Sequence, residues 1–132
     1  MTRDGVRVLE INIEQTVQEV QTAFWRYDQA LIDNDVDLLN ERFRDSDHTL
    51  RYGITENIYG QEQIAGFRTE RNDGPFLRKV PKLVVTAYGP DHARANCETV
   101  RTDTGLVGRQ SHTWVQFDEG WRIVAAHVST LK

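Results

Sequence analysis

Four successive runs rich in β-branched residues, near 78–88, 92–103, 106–118 and 121–131, occupy the second half of the chain. Their separators are Gly89-Pro90-Asp91, Asp103-Thr104-Gly105 and Asp118-Glu119-Gly120, turn chemistry suited to hairpin connections. Strands joined by such short loops pair antiparallel, because a parallel neighbour needs a long crossover. The chain is therefore committed to a meander whose apolar face something else must cover.

The first half supplies the cover. Residues 14–33 place Val17, Val20, Phe24, Tyr27 and Leu31 in one helical stripe, the mark of an amphipathic helix. Asn12 is placed to cap its start, and Asn34 lies where it should end. Asp35 then caps a short second helix with Val36, Leu39 and Phe43 inward. The stretch TLRYGITENIYG, residues 49–60, reads as an extended segment and a turn. Gly60 leads into a third helix over 61–73, with Ile64, Phe67, Arg68 and Arg71 on one face, before a turn at Asn72-Asp73-Gly74-Pro75. The expectation is a single α+β domain over 1–132, with three N-terminal helices packed on a curved, mainly antiparallel sheet.

Several function classes are disfavoured at once. Net charge is −4 and no basic run occurs, so nucleic acid is not an expected partner. Cys97 is the sole cysteine, which precludes an intrachain disulfide and suits a reducing compartment. Its plainest role is that of a small buried hydrophobe. The opening MTRDGVRVLE lacks the apolar run of a signal peptide, and no stretch approaches a membrane span. A cytoplasmic protein is expected. His48, His92, His112 and His127 show no metal-ligand spacing, and no nucleophile elbow, phosphate loop or dinucleotide fingerprint is present. Neither a metal nor an organic cofactor is expected.

What remains is a set of polar residues where apolar ones would be expected. Tyr27 sits on the inward stripe of the first helix, placed to transfer a proton or simply to pack. Arg51 lies between Leu50 and Tyr52, so period two puts it opposite both, without deciding which face is the cavity. Tyr52 is retained as a ligand contact. Arg68 and Arg71 share the third helix's buried face, where snorkelling is the competing explanation. In the last strand Trp121, Ile123, Ala125, His127 and Ser129 follow one another by period two, which would carry His127 and Ser129 inward. His112, on one face with Gln110 and Trp114, is a weaker candidate, and Glu56 and Asn57 shape the turn or line a mouth. Guanidinium forks recognise carboxylates bidentately, so the implied ligand is a small planar acid with one or two carboxylates.

Two levels of resemblance emerge from these segments. The helix–helix–strand–helix–meander order, ending in GWRIVAAHVS, resembles the nuclear transport factor 2-like superfamily, also described as SnoaL-like or as a cystatin-like cone. More narrowly, RYGITENIYGQEQIAGFRTER, GRQSHTWVQF and EGWRIVAAHVS are similar to the AtzH-like family, which includes the oxalurate-catabolism proteins called HpxZ. The likeness runs from about residue 14 to 130.

The resemblance implies a cone that dimerises through its open sheet face. It also implies hydrolysis of 1,3-dicarboxyurea to allophanate, with other members accompanying oxalurate and purine-ureide catabolism. The family's suspected catalytic tyrosine and arginine fall on Tyr27 and Arg51, and Arg68, Arg71 and His127 occupy family-like positions. The expected function is thus a cofactor-free amidohydrolase of a small carboxylated urea or ureide, with water as nucleophile. The alternative is a non-catalytic, small-acid-binding dimer that serves a partner amidase. A ketosteroid-type isomerase would want a carboxylate base facing an apolar cavity, whereas the inward set here is cationic.

Overall fold

The computed structural model describes residues 2–3, 6–70 and 77–131. Two short strands, β1 (Thr2–Arg3) and β2 (Val6–Arg7), pair with each other. Helix α1 spans Glu14–Asp33 and α2 spans Val36–Arg42. A hairpin follows, β3 (Leu50–Tyr52) and β4 (Asn57–Tyr59), leading into α3 (Gln61–Glu70). The four long strands are β5 (Arg78–Ala87), β6 (His92–Arg101), β7 (Val107–Phe117) and β8 (Gly120–Thr130). The six-stranded sheet runs β4-β3-β8-β7-β6-β5, and all its pairings are antiparallel except β3 with β8. The meander expected from the turns is β5 to β8. The 49–60 segment, expected to be only extended chain and a turn, closes as a hairpin and continues the sheet.

Local chemistry explains most boundaries. Asn34 ends α1 in the left-handed region at φ 55°, a conformation asparagine tolerates better than most residues. The Asp35 side chain accepts from Leu38 N at 3.2 Å and caps α2 as expected. Asn12 does something else. Ile13 takes the cap position of α1 without a side-chain bond. Asn12 instead exchanges two 2.9 Å bonds with Ala87, donating its N–H to the Ala87 carbonyl and accepting from the Ala87 N–H through Oδ1. It ties the approach to α1 onto β5. Pro81 falls in β5, at the sheet edge, where register shifts between Lys79 and Lys82; a missing N–H is tolerated there.

The helices cover one face. Val20, Phe24 and Tyr27 of α1, Leu39 of α2, Phe43 just beyond it and Ile64 of α3 are all buried. Opposite them the sheet presents Ala87, Ala93, Ala95 and Ala126, with Trp114 and Ile123 as the large side chains. Small residues on the strands let the helices approach closely, and Trp114 and Ile123 fill the remaining depth. The inward residues then change along each strand. On β7 they run Trp114, His112, Gln110, Gly108, and on β6 they run Ala93, Ala95, Cys97, Thr99. Apolar packing gives way to polar side chains and finally to a glycine, and the space left there is the cavity. Among the described residues, no helix is long and apolar enough to cross a membrane.

Candidate functional site

A cavity of about 420 Å³ opens between the helices and the β6–β8 end of the sheet, within the size range of small-molecule sites. Tyr27, Leu31 and Leu39 form its helical wall, and Gly108, Gln110, Val128 and Thr130 form its floor. Among the described residues that line it, four are arginines, Arg51, Arg68, Arg78 and Arg101, and one is a carboxylate, Glu56.

Arg51 answers the question that alternation left open. It is buried to 7% exposure while Leu50 and Tyr52 are only partly covered, so its face of β3 is the cavity face. Its Nη1 donates to Glu56 Oε1 at 2.8 Å, and its guanidinium lies over the Phe67 ring at 5.2 Å, a cation–π arrangement. Glu56 is held from its other side, accepting through Oε2 from Thr55 N at 3.2 Å and Thr55 Oγ1 at 2.6 Å. Burial works against the Glu56 charge, but the Thr55 hydrogen bonds and Arg51 outweigh it and keep its carboxyl below the ordinary value. Glu56 thus both shapes the turn and lines the mouth.

Tyr27 is 2% exposed, and its hydroxyl oxygen accepts from Arg68 Nη2 at 2.5 Å. With that acceptor site taken by a cation, the phenol's own proton is left for another acceptor. The third helix therefore delivers Arg68 to the cavity, while Arg71 lies outside the described residues.

Behind Tyr27 runs a buried polar chain, of which the sequence showed only Gln110 and His112 on one face and gave no sign of Arg78. Arg78 Nε donates to Asp28 Oδ1 at 2.9 Å, and Arg78 Nη1 donates to Gln110 Oε1 at 3.0 Å. Because arginine can only donate, the Gln110 oxygen is fixed by this contact, and its NH₂ must donate to His112 Nε2 at 2.8 Å. His112 therefore carries its proton on Nδ1. Its ring stands edge-on to Tyr27, with centroids 5.0 Å apart. Burial above all, together with Arg78, Arg68 and Arg51, pushes His112 down to about 3, so it is neutral at ordinary pH. At the mouth Arg101 grips Asp103 through Nε at 3.1 Å and Nη2 at 2.7 Å.

Two sequence expectations fail, and both failures have a geometric cause. His127 was expected inward with Trp121 and Ile123. Those two are indeed buried, but β8 pairs Ile123 with Trp114 and Ala125 with Thr113, leaving Val124 as an extra residue. A bulge inverts the alternation beyond it. Ala126, Val128 and Thr130 take the inward phase, and His127 is exposed on the outer face. Ser129 borders the cavity, yet it shares the outward phase of His127. Tyr52 also lies on that outer face. It pairs with His127 across the parallel junction, meets its ring edge-on at 5.9 Å, and shares a 3.1 Å hydroxyl contact with Tyr59. Cys97 is buried, and burial pushes its thiol up to about 11, as befits a small hydrophobe rather than a nucleophile. Among the described residues no group of three or more His, Cys, Asp or Glu side chains gathers to hold a metal.

Solved structures share this architecture. A protein of unknown function from Pectobacterium atrosepticum is 45% identical, with a TM-score of 0.88 over 92% of this chain and 95% of that one. A cystatin-like fold protein from Burkholderia xenovorans is 41% identical, with a TM-score of 0.87 over 93% and 97%. A putative ketosteroid isomerase from Parabacteroides distasonis, at 14% identity and a TM-score of 0.73 over 90% and 93%, shares the fold alone. No curated protein matches the chain. The AtzH-like family model matches residues 9–132, and with a cavity that sets Tyr27 against Arg68 and Arg51 against Glu56, this chain belongs to the AtzH-like family of nuclear transport factor 2-like folds.

Proposed function

We propose that the cavity binds a small planar acid of the carboxylated urea or ureide class, such as 1,3-dicarboxyurea or an oxalurate-related compound. In this reading the protein hydrolyses a C–N bond of that acid, with water as the nucleophile. The observation that carries the proposal is the cavity lining, which holds four arginines and a buried tyrosine whose hydroxyl accepts from one of them. The cations stand on separated strands. Arg51 is on β3, while Arg78 and Arg101 are on β5 and β6, with β8 and β7 between them. An acid with carboxylates at both ends suits that spacing better than an acid with one.

Roles follow from the contacts. Arg51 binds a carboxylate or the negative charge that develops on a carbonyl oxygen. Tyr27, whose oxygen is occupied by Arg68, gives its proton to the departing nitrogen as water adds to the carbonyl carbon and the C–N bond breaks. Water's proton restores the phenol. The partner implied by the exposed outer sheet face, which carries Val84, Tyr52, Tyr59 and His127, is a second copy of the chain, and sedimentation equilibrium would report it. The lone buried Cys97 suits the cytoplasm.

The test is ¹³C NMR of 1,3-dicarboxyurea and oxalurate incubated with the wild type and with Tyr27→Phe. The wild type should consume one of them, and Tyr27→Phe should bind it but turn it over about 10²–10⁴-fold more slowly, the usual worth of a positioned proton donor. Turnover at the wild-type rate by Tyr27→Phe would refute the proton role. A ligand that binds and is recovered unchanged would favour an accessory binder serving a partner amidase.

A further inference from the structure

Gly53 carries an unusual constraint. Its backbone is not in the left-handed region, so glycine is not needed there for its φ. A Cβ at this position would instead lie 1.6 Å from Glu56 Oε1 and 2.8 Å from Arg51 Nη1. The missing side chain is what allows the Glu56 carboxylate to lie on the Arg51 guanidinium. The hairpin turn fixes the same arrangement, because Gly53 N donates to the Glu56 carbonyl at 2.9 Å. Thr55 then holds Oε2, so that Oε1 points at Arg51. Arg51 itself is nearly enclosed, with Phe67 beneath it.

Three features set Glu56 apart from an ordinary structural partner. It is the one carboxylate among the described residues that line the cavity, it is paired with an arginine that lines the same cavity, and it sits on a turn whose Ile54 and Thr55 are exposed. A buried guanidinium without an anion is costly, so an empty site needs a stand-in. We propose that Glu56 is an internal counter-ligand of Arg51, which occupies the position of a ligand's carboxylate and yields it when the ligand binds. This rests on the reading of the cavity as a carboxylate site, and it adds a selection rule. A ligand gains entry to Arg51 only if it replaces a carboxylate with a carboxylate, so neutral analogues of the same shape are refused.

The test is calorimetric titration of malonate into wild type, Glu56→Gln and Gly53→Ala. The glutamine keeps the size of the side chain and removes its charge. The alanine keeps the charge, but its Cβ meets the Glu56 carboxylate at 1.6 Å and also crowds Arg51 Nη1 at 2.8 Å, so it reports on the stability of the pair and not on binding. Glu56→Gln should bind malonate at least about tenfold more tightly than wild type, the low end for a close charge pair. Both variants should unfold at lower temperature than wild type when no ligand is present. A malonate complex should show the ligand carboxylate on Arg51 and Glu56 turned away. Equal or weaker binding by Glu56→Gln would overturn the counter-ligand role and leave the carboxylate site standing. No binding of malonate by any of the three proteins would overturn the carboxylate site itself, and this proposal with it.

Discussion

Lowering the pH from 7 to 5 tests the buried chain that runs from Asp28 through Arg78 and Gln110 to His112. His112 is 1% exposed and is pushed from 6.5 down to about 3. Between those two values the unfolded chain binds a proton that the folded protein refuses, so stability must rise with pH across that window and fall as the solution is acidified. Each pH unit is worth about 1.4 kcal/mol. At pH 5, one and a half units below the unfolded value, the loss from His112 alone is about 2 kcal/mol. That pH lies above the usual carboxylate range, and a variant without the imidazole isolates the His112 contribution. The assay is urea unfolding at pH 7 and pH 5 for wild type and His112→Gln. The substitution has its own cost, and the comparison is therefore between the two pH differences. Wild type should lose about 2 kcal/mol and His112→Gln a small fraction of that. Equal losses in both proteins, or none in wild type, would refute the neutral, proton-refusing His112.

Two further outcomes follow from the same geometry. Asp28→Ala removes the 2.9 Å carboxylate partner of a guanidinium that is only 4% exposed, and should cost roughly 3–5 kcal/mol in urea unfolding. Gly108→Ala would place a Cβ 2.7 Å from Thr99 Oγ1 and 3.1 Å from the Ser129 carbonyl on the cavity floor. It should cost about 1–3 kcal/mol by overpacking and weaken malonate binding, as read by calorimetry.

The parts of the fold that depend on local rules were legible in the residues. The stripe from Val17 to Leu31 gave α1, Asp35 gave the start of α2, and three turn sequences gave the meander. Tyr27 and Arg51 could be singled out because a phenol on a core stripe and a guanidinium in a strand are each locally odd. What escaped depends on register and on distance along the chain. One extra residue at Val124 reversed the last strand and sent His127 to the outer face, and nothing in WRIVAAHVST marks where such a bulge falls. The Asp28–Arg78–Gln110 chain joins residues 50 and 32 positions apart, and its signs in the sequence were Asp28 at i+4 from Phe24, close to the buried stripe, and Gln110 on one face with His112. The parallel junction of β3 with β8 was equally hidden, since the three residues of β3 fix no partner on their own.

The most direct test of the central claim is thermal unfolding of wild type and Arg51→Gln with malonate, oxalurate and, as a neutral control, urea at low millimolar concentration. At a hundredfold excess over Kd a ligand adds about 2.7 kcal/mol, roughly 8–11 °C in Tm for a chain of this size. The carboxylate site predicts an upward shift with the acids, none with urea, and loss of the shift in Arg51→Gln. An unchanged Tm with every acid, or the same shift with and without Arg51, would contradict it.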